Sequence, residues 1–209
     1  MIPDPIGAAV RWLGAGGLVA YPTETLWGLA AAADRAAGME RLRVWKGREA
    51  DSPVSILVTG LAEAEALGEL GPLARRLAGA HWPGPLTLVV PGRRGFAAGV
   101  ARADGAVGLR CSSHPLAAAL ARRAGREGVG PITATSLNRH GEPPARTRAD
   151  ATGLCAGLDA PRLLDVDGAE AGGDAASTVV DLAGERPRVL RWGAIPRDEV
   201  LAMLQGQGA

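Results

Sequence analysis

Short apolar runs alternate along the chain with longer segments in which apolar residues recur at helical spacing. Segments of the second kind predict amphipathic helices at 6–13, 35–45, 61–67, 72–80, 115–124 and 197–204. The short runs predict strands, of which the first is wholly apolar and expected to be buried: 18–21, 53–58, 86–90, 107–109, 132–135, 162–165, 177–182 and 188–191. Glycine and proline bound many of these segments, as is typical of the ends of helices and strands.

The order of these elements predicts an α/β fold. Strands alternate with helices over most of the length. Near the C-terminus strands follow one another directly, which favours a mixed sheet over a purely parallel one. A length of 209 residues fits a single domain over 1–209, and we expect 205–209 to be a frayed tail.

The composition is that of an ordinary globular protein. Hydrophobic residues make up 47% and charged residues 22%, which excludes a disordered chain. No apolar run approaches the roughly 18 to 20 residues that span a bilayer. Asp4, between two prolines, lies where a signal peptide would carry positive charge, so we expect a soluble, cytoplasmic protein with no membrane partner. The histidines and cysteines are too scattered for a metal site, and no resident metal is predicted.

The basic residues are unevenly divided between arginine and lysine. Of 23 basic residues, Lys46 is the only lysine, which suggests that its position favours a compact ammonium group. Lys46-Gly47-Arg48 follows a predicted helix, and two cations separated by a glycine could bind an anion. Cations also favour a helix C-terminus because of its dipole, so a purely structural role stays open. The net charge of +1 argues against a surface built wholly to trap nucleic acid, but a local basic groove is compatible with it.

Polar residues follow several predicted strands, where ligands bind in open α/β sheets. Thr23 and Thr25 emerge from a turn after the first strand, and Ser136 and Asn138 follow a later one. Either pair could orient a polar ligand, and either could instead only stabilise its own turn through hydrogen bonds to the backbone. Arg110 ends a buried strand and must find an anion, for which a substrate carboxylate and a structural Asp or Glu fit equally well.

The usual nucleotide-binding and hydrolase signatures are absent from the sequence. It contains no G-x-x-x-x-G-K-[ST], no strand-linked G-x-G-x-x-G, no H-E-x-x-H and no G-x-S-x-G. A nucleotide site in this chain is therefore expected to be neither a P-loop nor a Rossmann fingerprint.

Taken in order, these motifs resemble the YrdC/TsaC family, the threonylcarbamoyl-AMP synthases. The resemblance rests on P-T-E-T at 22–25, K-x-R at 46–48, W-P-G-P-L-T at 82–87, the strand arginine at 110, S-x-N at 136–138, S-T-V-V-D at 177–181 and R-x-G-x-I at 191–195. The motifs span nearly the whole chain, and their extent resembles the short, single-domain form of the family.

The resemblance implies a twisted, open sheet over a concave basic cleft. It also implies an enzyme, a nucleotidyltransferase that makes L-threonylcarbamoyl-AMP and pyrophosphate from L-threonine, bicarbonate or CO2, and ATP. Other proteins would then transfer the threonylcarbamoyl group to adenosine 37 of tRNA, which itself is a possible partner. Mg²⁺ is expected to travel with the ATP.

The resemblance further implies a role for each site residue. Lys46 and Arg48 would be catalytic and hold the ATP phosphates, with Asn138, Arg146 and Arg191 also on the nucleotide. L-Threonine would be held by a second set, in which Arg110 suits its carboxylate: Thr23, Thr25, Arg110, Ser136 and Ser177. Phosphoryl-type transfer needs positioning and charge neutralisation more than a nucleophilic side chain, which agrees with a set of cations and hydroxyls.

Five positions depart from the family pattern, and other functions stay open. The departures are Glu49, Ser52, Ser112, Leu137 and His140. One alternative is a relative that acts on carbamoyl phosphate, and another is a paralogue that binds a nucleotide without turnover. A third is an RNA-binding module, although aromatic residues, the usual platforms for bases, make up only 3% of the chain.

Overall fold

The computed structural model describes residues 4–48 and 52–205, and its helices and strands follow the predicted order. The helices are α1 (Pro5–Gly14), α2 (Ala36–Lys46), α3 (Leu61–Leu67), α4 (Pro72–His81), α5 (Pro115–Arg126), α6 (Arg148–Leu154) and α7 (Arg197–Gln205). The strands are β1 (Val19–Tyr21), β2 (Gly28–Ala30), β3 (Ser55–Leu57), β4 (Leu86–Pro91), β5 (Ala106–Arg110), β6 (Ile132–Ser136), β7 (Arg162–Leu163), β8 (Thr178–Asp181) and β9 (Arg188–Arg191).

The strands form one mixed sheet in the order β7-β1-β2-β6-β3-β5-β4-β8-β9. Three neighbouring pairs are parallel, β1 with β7, β3 with β5 and β4 with β8, and the other pairs are antiparallel. The predicted α/β class and mixed sheet are thus confirmed. Every predicted segment is present, with ends that differ by at most two residues.

Helices cover both faces of the sheet because successive strand residues point to opposite sides. On one face Val19 and Tyr21 of β1 pack in a cluster with residues of α1 and α5, among them Leu13 and Leu120. On the other face Ala20 packs in a larger cluster with α2, α3, α4 and α7. A fully buried leucine such as Leu13 contributes about 1.5 to 3 kcal/mol, so these two layers account for much of the stability.

Two elements were missed in the sequence, and the expected tail overlaps the last residue of a helix. Strand β2 directly follows the turn after β1, within a continuous apolar run that hid its start. Helix α6 begins with a capping box, in which Thr147 accepts from the amide of Asp150 and the Asp150 carboxylate accepts from that of Thr147. Gln205, which was expected to belong to the tail, is the last residue of α7. The last turn of this helix is tied to α4, because the Arg76 side chain donates to the carbonyl of Met203. Residues 206–209 lie outside the described part.

Within the described residues, the helices are too short or too polar to cross a bilayer.

Candidate active site

Seven of the predicted site residues line one cavity of about 160 Å³, although they come from separate loops and strand ends. They are Thr23, Thr25, Arg48, Arg110, Ser136, Ser177 and Arg191. Three arginines therefore converge on a single hollow. The predicted concave basic cleft is present in the structure.

Arg110 lies at the end of β5 and is held on one edge by the turn between β1 and β2. Its Nη2 donates to Glu24 Oε1 at 2.8 Å, to Thr25 Oγ1, and more weakly to Thr23 Oγ1 at 3.4 Å. Its Nε is buried and has no acceptor among the described residues. Glu24 is thus a structural carboxylate for Arg110. Another edge of the guanidinium has no acceptor among the described residues and can take a substrate carboxylate as well.

The hydroxyls of Thr23 and Thr25 support Arg110 from the floor of the cavity. Thr23 Oγ1 donates to the carbonyl of Leu26 at 2.6 Å, so its proton is committed. Thr25 Oγ1 lies 2.9 Å from Thr23 Oγ1 and must therefore donate to it. Both threonines are buried. Thr23 Oγ1 already accepts from the hydroxyl and from the amide of Thr25, the latter at 3.2 Å, so only Thr25 Oγ1 keeps an acceptor lone pair for a ligand.

Ser177 is held between β4 and β9 by two neighbours. Its Oγ lies 2.9 Å from Thr87 Oγ1 and accepts from Arg191 Nη2 at 2.9 Å, while Arg191 Nε donates to its carbonyl at 3.0 Å. Thr87 also lines the cavity, a role that the sequence analysis missed. The sequence did contain a sign of this role, because Thr87 is the last residue of the W-P-G-P-L-T motif.

Lys46 lies behind the cavity wall rather than in it. Its side chain is almost fully buried at 2% exposure. Nζ donates to the carbonyl of Ser136 at 2.6 Å and to the carbonyl and Oδ1 of Asn138, each at 3.0 Å. The ammonium thus joins the end of α2 to the turn after β6, and its role on ATP stays a prediction.

The side chain of Asn138 forms its hydrogen bonds within the same turn and with Lys46. Its Oδ1 also accepts from Ser136 Oγ at 2.7 Å, and its Nδ2 donates to the carbonyls of Arg139 and Glu142 at 2.9 and 2.8 Å. Arg139 stacks on the ring of Trp45 at 4.5 Å, which packs the turn against α2. Asn138 therefore shapes the position of Ser136, the residue of this turn that reaches the cavity wall.

Positive charge around the cavity is incompletely compensated. Burial, and then the charge of Arg48, lowers the pKa of Lys46 to about 7. Desolvation also lowers the pKa of Arg48, and desolvation followed by the charge of Arg110 lowers that of Arg191. The buried Nε of Arg48 has no acceptor among the described residues. Such a set of cations favours an anionic ligand.

Arg146, like Lys46 and Asn138, is a predicted nucleotide ligand that does not line the cavity, and within the described part of the chain it lacks their contacts to the turn after β6. It is exposed and precedes α6, where its amide donates to Asp150 Oδ2 at 3.0 Å. A contact with the nucleotide stays a prediction for this residue. Among the residues described, no group of three or more His, Cys, Asp or Glu side chains forms a metal site.

Four of the five departures from the family pattern fall in the described residues. Leu137 is fully buried in the core, and Ser52 lies on the wall of an adjacent, more apolar cavity that shares Arg48. The amide of His140 donates to the carbonyl of Lys46 at 2.7 Å, and Ser112 Oγ donates to Glu24 Oε2. Glu49 lies outside the described residues.

Comparison with known proteins gives concordant matches over most of the chain. A family model for Sua5/YciO/YrdC proteins, described as telomere recombination, matches residues 11–193. The threonylcarbamoyl-AMP synthase of Xanthomonas campestris pv. campestris is 35% identical over 94% of this chain and 98% of its own length. That of Bacillus subtilis is 34% identical over 96% of this chain, which spans only 57% of the relative.

A solved structure agrees with these matches. The crystal structure of P. abyssi Sua5 complexed with L-threonine superposes with a TM-score of 0.86 and 31% identity. The match covers 98% of this chain and 59% of the Sua5 chain, so part of that protein has no counterpart here.

Proposed function

Because the chain belongs to the Sua5/YciO/YrdC family, we propose that it is an L-threonylcarbamoyladenylate synthase, a nucleotidyltransferase. The substrates are L-threonine, bicarbonate or CO2, and ATP. The observation that carries the proposal is the convergence of Arg48, Arg110 and Arg191 on one cavity lined with hydroxyl groups. The matched synthases and the threonine-bound Sua5 structure support the same assignment.

The proposed chemistry needs positioned charge rather than a side-chain nucleophile. The neutral α-amine of threonine is first carboxylated: reaction with CO2 releases a proton, whereas reaction with bicarbonate releases water instead. A carbamate oxygen then attacks the α-phosphorus of ATP, the bond to the β-phosphate oxygen breaks, and pyrophosphate leaves. Guanidinium groups that neutralise the developing charge in a desolvated cavity are suited to this step.

Residues of the cavity divide into two groups under this proposal. Arg110 binds the threonine carboxylate, Thr23 and Thr25 support Arg110, and Thr25 also presents an acceptor oxygen. Ser136 and Ser177 complete the amino-acid side. Arg48 and Arg191 bind the phosphates, Lys46 and Asn138 hold the wall of the phosphate site, and Arg146 stays a predicted contact.

Mg²⁺ is assigned to the substrate rather than to the protein. ATP usually brings Mg²⁺ on its phosphate oxygens, and the described residues offer no carboxylate cluster for a resident ion. Transfer of the product to tRNA by other proteins, direct contact with tRNA and a cytoplasmic location also stay predictions.

Pyrophosphate release tests the proposal directly. The purified protein is incubated with ATP, L-threonine and bicarbonate, and each substrate is omitted in turn. We expect release only when all three are present, together with a product of the mass of threonylcarbamoyl-AMP. Pyrophosphate release from ATP and added carbamoyl phosphate, without threonine, would favour action on carbamoyl phosphate, and RNA binding without release would favour an RNA-binding module.

A further inference from the structure

We propose that Glu24 is a positioning residue that fixes the guanidinium of Arg110 for a substrate carboxylate. This inference rests on the proposed function, because it takes L-threonine as the ligand of Arg110. It concerns a residue for which the family resemblance implied no role.

Glu24 stands beside Arg110 without forming part of the cavity wall. Its Oε1 accepts from Arg110 Nη2 at 2.8 Å, and its Oε2 accepts from Ser112 Oγ. Arg110 contributes to the lining of the cavity, and Glu24 does not. The carboxylate therefore holds one edge of the guanidinium without occupying the space in which a ligand would bind.

The backbone keeps Glu24 in this position. The amide of Gly172 donates to the carbonyl of Thr23 at 2.9 Å, and that of Gly173 donates to the carbonyl of Thr25 at 3.0 Å. A Cβ atom at Gly172 would lie 3.2 Å from the Cα of Glu24, so the loop packs closely against it. Glu24 is thus clamped between this loop and the strand end that carries Arg110.

Charge and burial favour the same arrangement. The side chains of Glu24 and Arg110 are 15% and 11% exposed, so their ion pair is partly shielded from water. Burial alone would raise the pKa of Glu24, but the charge of Arg110 and hydrogen bonds from Ser112 and Arg110 outweigh it and lower that pKa. Glu24 therefore stays ionised near neutral pH.

A guanidinium has five donors and can bind two carboxylates at different edges. Here the three contacts to Glu24, Thr23 and Thr25 all use Nη2, while the buried Nε has no acceptor among the described residues. Without Glu24 the guanidinium could rotate about its flexible side chain. Preorganisation of Arg110 is the contribution that Glu24 makes to threonine binding.

The test compares wild type with Glu24→Gln, Glu24→Asp and Ser112→Ala, with Glu65→Gln as the matched control. Glu65 forms an exposed ion pair with Arg75 away from the cavity. We expect Glu24→Gln to raise the Kd and KM for L-threonine about tenfold, with the KM for ATP changed less than twofold. Ser112→Ala and Glu24→Asp should give intermediate effects, and Glu65→Gln none. Equal rises in both KM values would mean that Glu24→Gln disturbs the whole cavity, and they would overturn the inference.

Crystal structures of wild type and Glu24→Gln give a readout independent of the reaction. We expect Arg110 to leave its position against Thr25 in the variant. If wild type binds no L-threonine, the proposed function fails, and the orientation of Arg110 still decides whether Glu24 positions it. An unmoved Arg110, or tighter threonine binding by Glu24→Gln, would overturn the inference, the latter because Glu24 would then be a competitor.

Discussion

The ammonium group of Lys46 donates to the carbonyl of Ser136 at 2.6 Å and thereby fastens the end of α2 to the end of β6. All three of its protons have acceptors, so no smaller side chain can replace it. We expect Lys46→Ala to lower kcat/KM at least tenfold, which corresponds to ~1.4 kcal/mol or more. Arg43→Ala, which removes an exposed cation from the same helical turn, should leave kcat/KM unchanged. Unchanged kinetics in Lys46→Ala would contradict a role for Lys46 in the site.

The ionisation of Lys46 should be visible in the pH profile. Its pKa is lowered to about 7, so the ammonium is present below about pH 7 and is lost as the pH rises through that value. We therefore expect kcat/KM at saturating bicarbonate to fall above this pH. A guanidinium stays protonated, so the activity that Lys46→Arg retains in this compact site should lack the fall. The bicarbonate equilibrium is common to both proteins, and identical profiles would contradict the assignment.

Arg48 should act mainly on ATP. Gly47 has φ 66°, the left-handed conformation that ends α2, and Arg48 leaves the helix toward the cavity. Arg48→Lys keeps the charge but loses the planar fork that matches phosphate, so we expect the KM for ATP to rise about tenfold. Steady-state kinetics at saturating threonine measure this change. Arg43→Lys is the matched control, and an equal effect in both variants would argue against a phosphate contact.

Close packing explains why position 193 of the R-x-G-x-I motif is a glycine. A Cβ atom there would lie 2.2 Å from the carbonyl oxygen of Ala176 and 2.4 Å from the carbonyl carbon of Ser177. Gly193→Ala must displace the segment that carries Ser177, and we expect kcat/KM to fall at least about fivefold. At Gly184 an added Cβ meets no atom within 4 Å, so Gly184→Ala should have wild-type kinetics. Equal kinetics in the two variants would contradict the close-packing argument.

Periodicity and turn residues located most of the fold, because helix and strand spacing depend on local sequence. Strand β2 was not predicted, because its apolar residues continue those of the preceding turn and no boundary separates the two. The motif order gathered Thr23, Arg110 and Ser177 into one site, but it could not show that Lys46 is bound to backbone carbonyls. Such contacts join residues far apart in sequence, and only the packed sheet and turns determine them.

The buried carboxylate of Asp181 supplies a prediction about stability. It ends β8 with 1% of its side chain exposed and accepts from Arg102 at 2.7 Å and Arg188 at 3.4 Å. Arg102→Ala leaves this charge only partly compensated, and we expect the free energy of unfolding to fall by about 2 to 3 kcal/mol. Arg75→Ala, which breaks an exposed pair with Glu65, should cost less than about 1 kcal/mol. Urea unfolding at pH 7, followed by tryptophan fluorescence, measures both.

The pH dependence of the stability difference between wild type and Arg102→Ala shows whether the charge of Asp181 causes it. Burial would raise the pKa of Asp181, but the hydrogen bond from Arg102, the amide of Ala183, and the charges of Arg102 and Arg188 lower it overall. A carboxyl group with a lowered folded pKa stabilises the protein above its unfolded pKa of about 3.9 and loses this contribution as the pH falls through the folded value. The gap between wild type and Arg102→Ala should therefore be constant near neutrality and narrow in acid. A gap that stays constant in acid would mean that Arg102 stabilises the fold by packing rather than by charge.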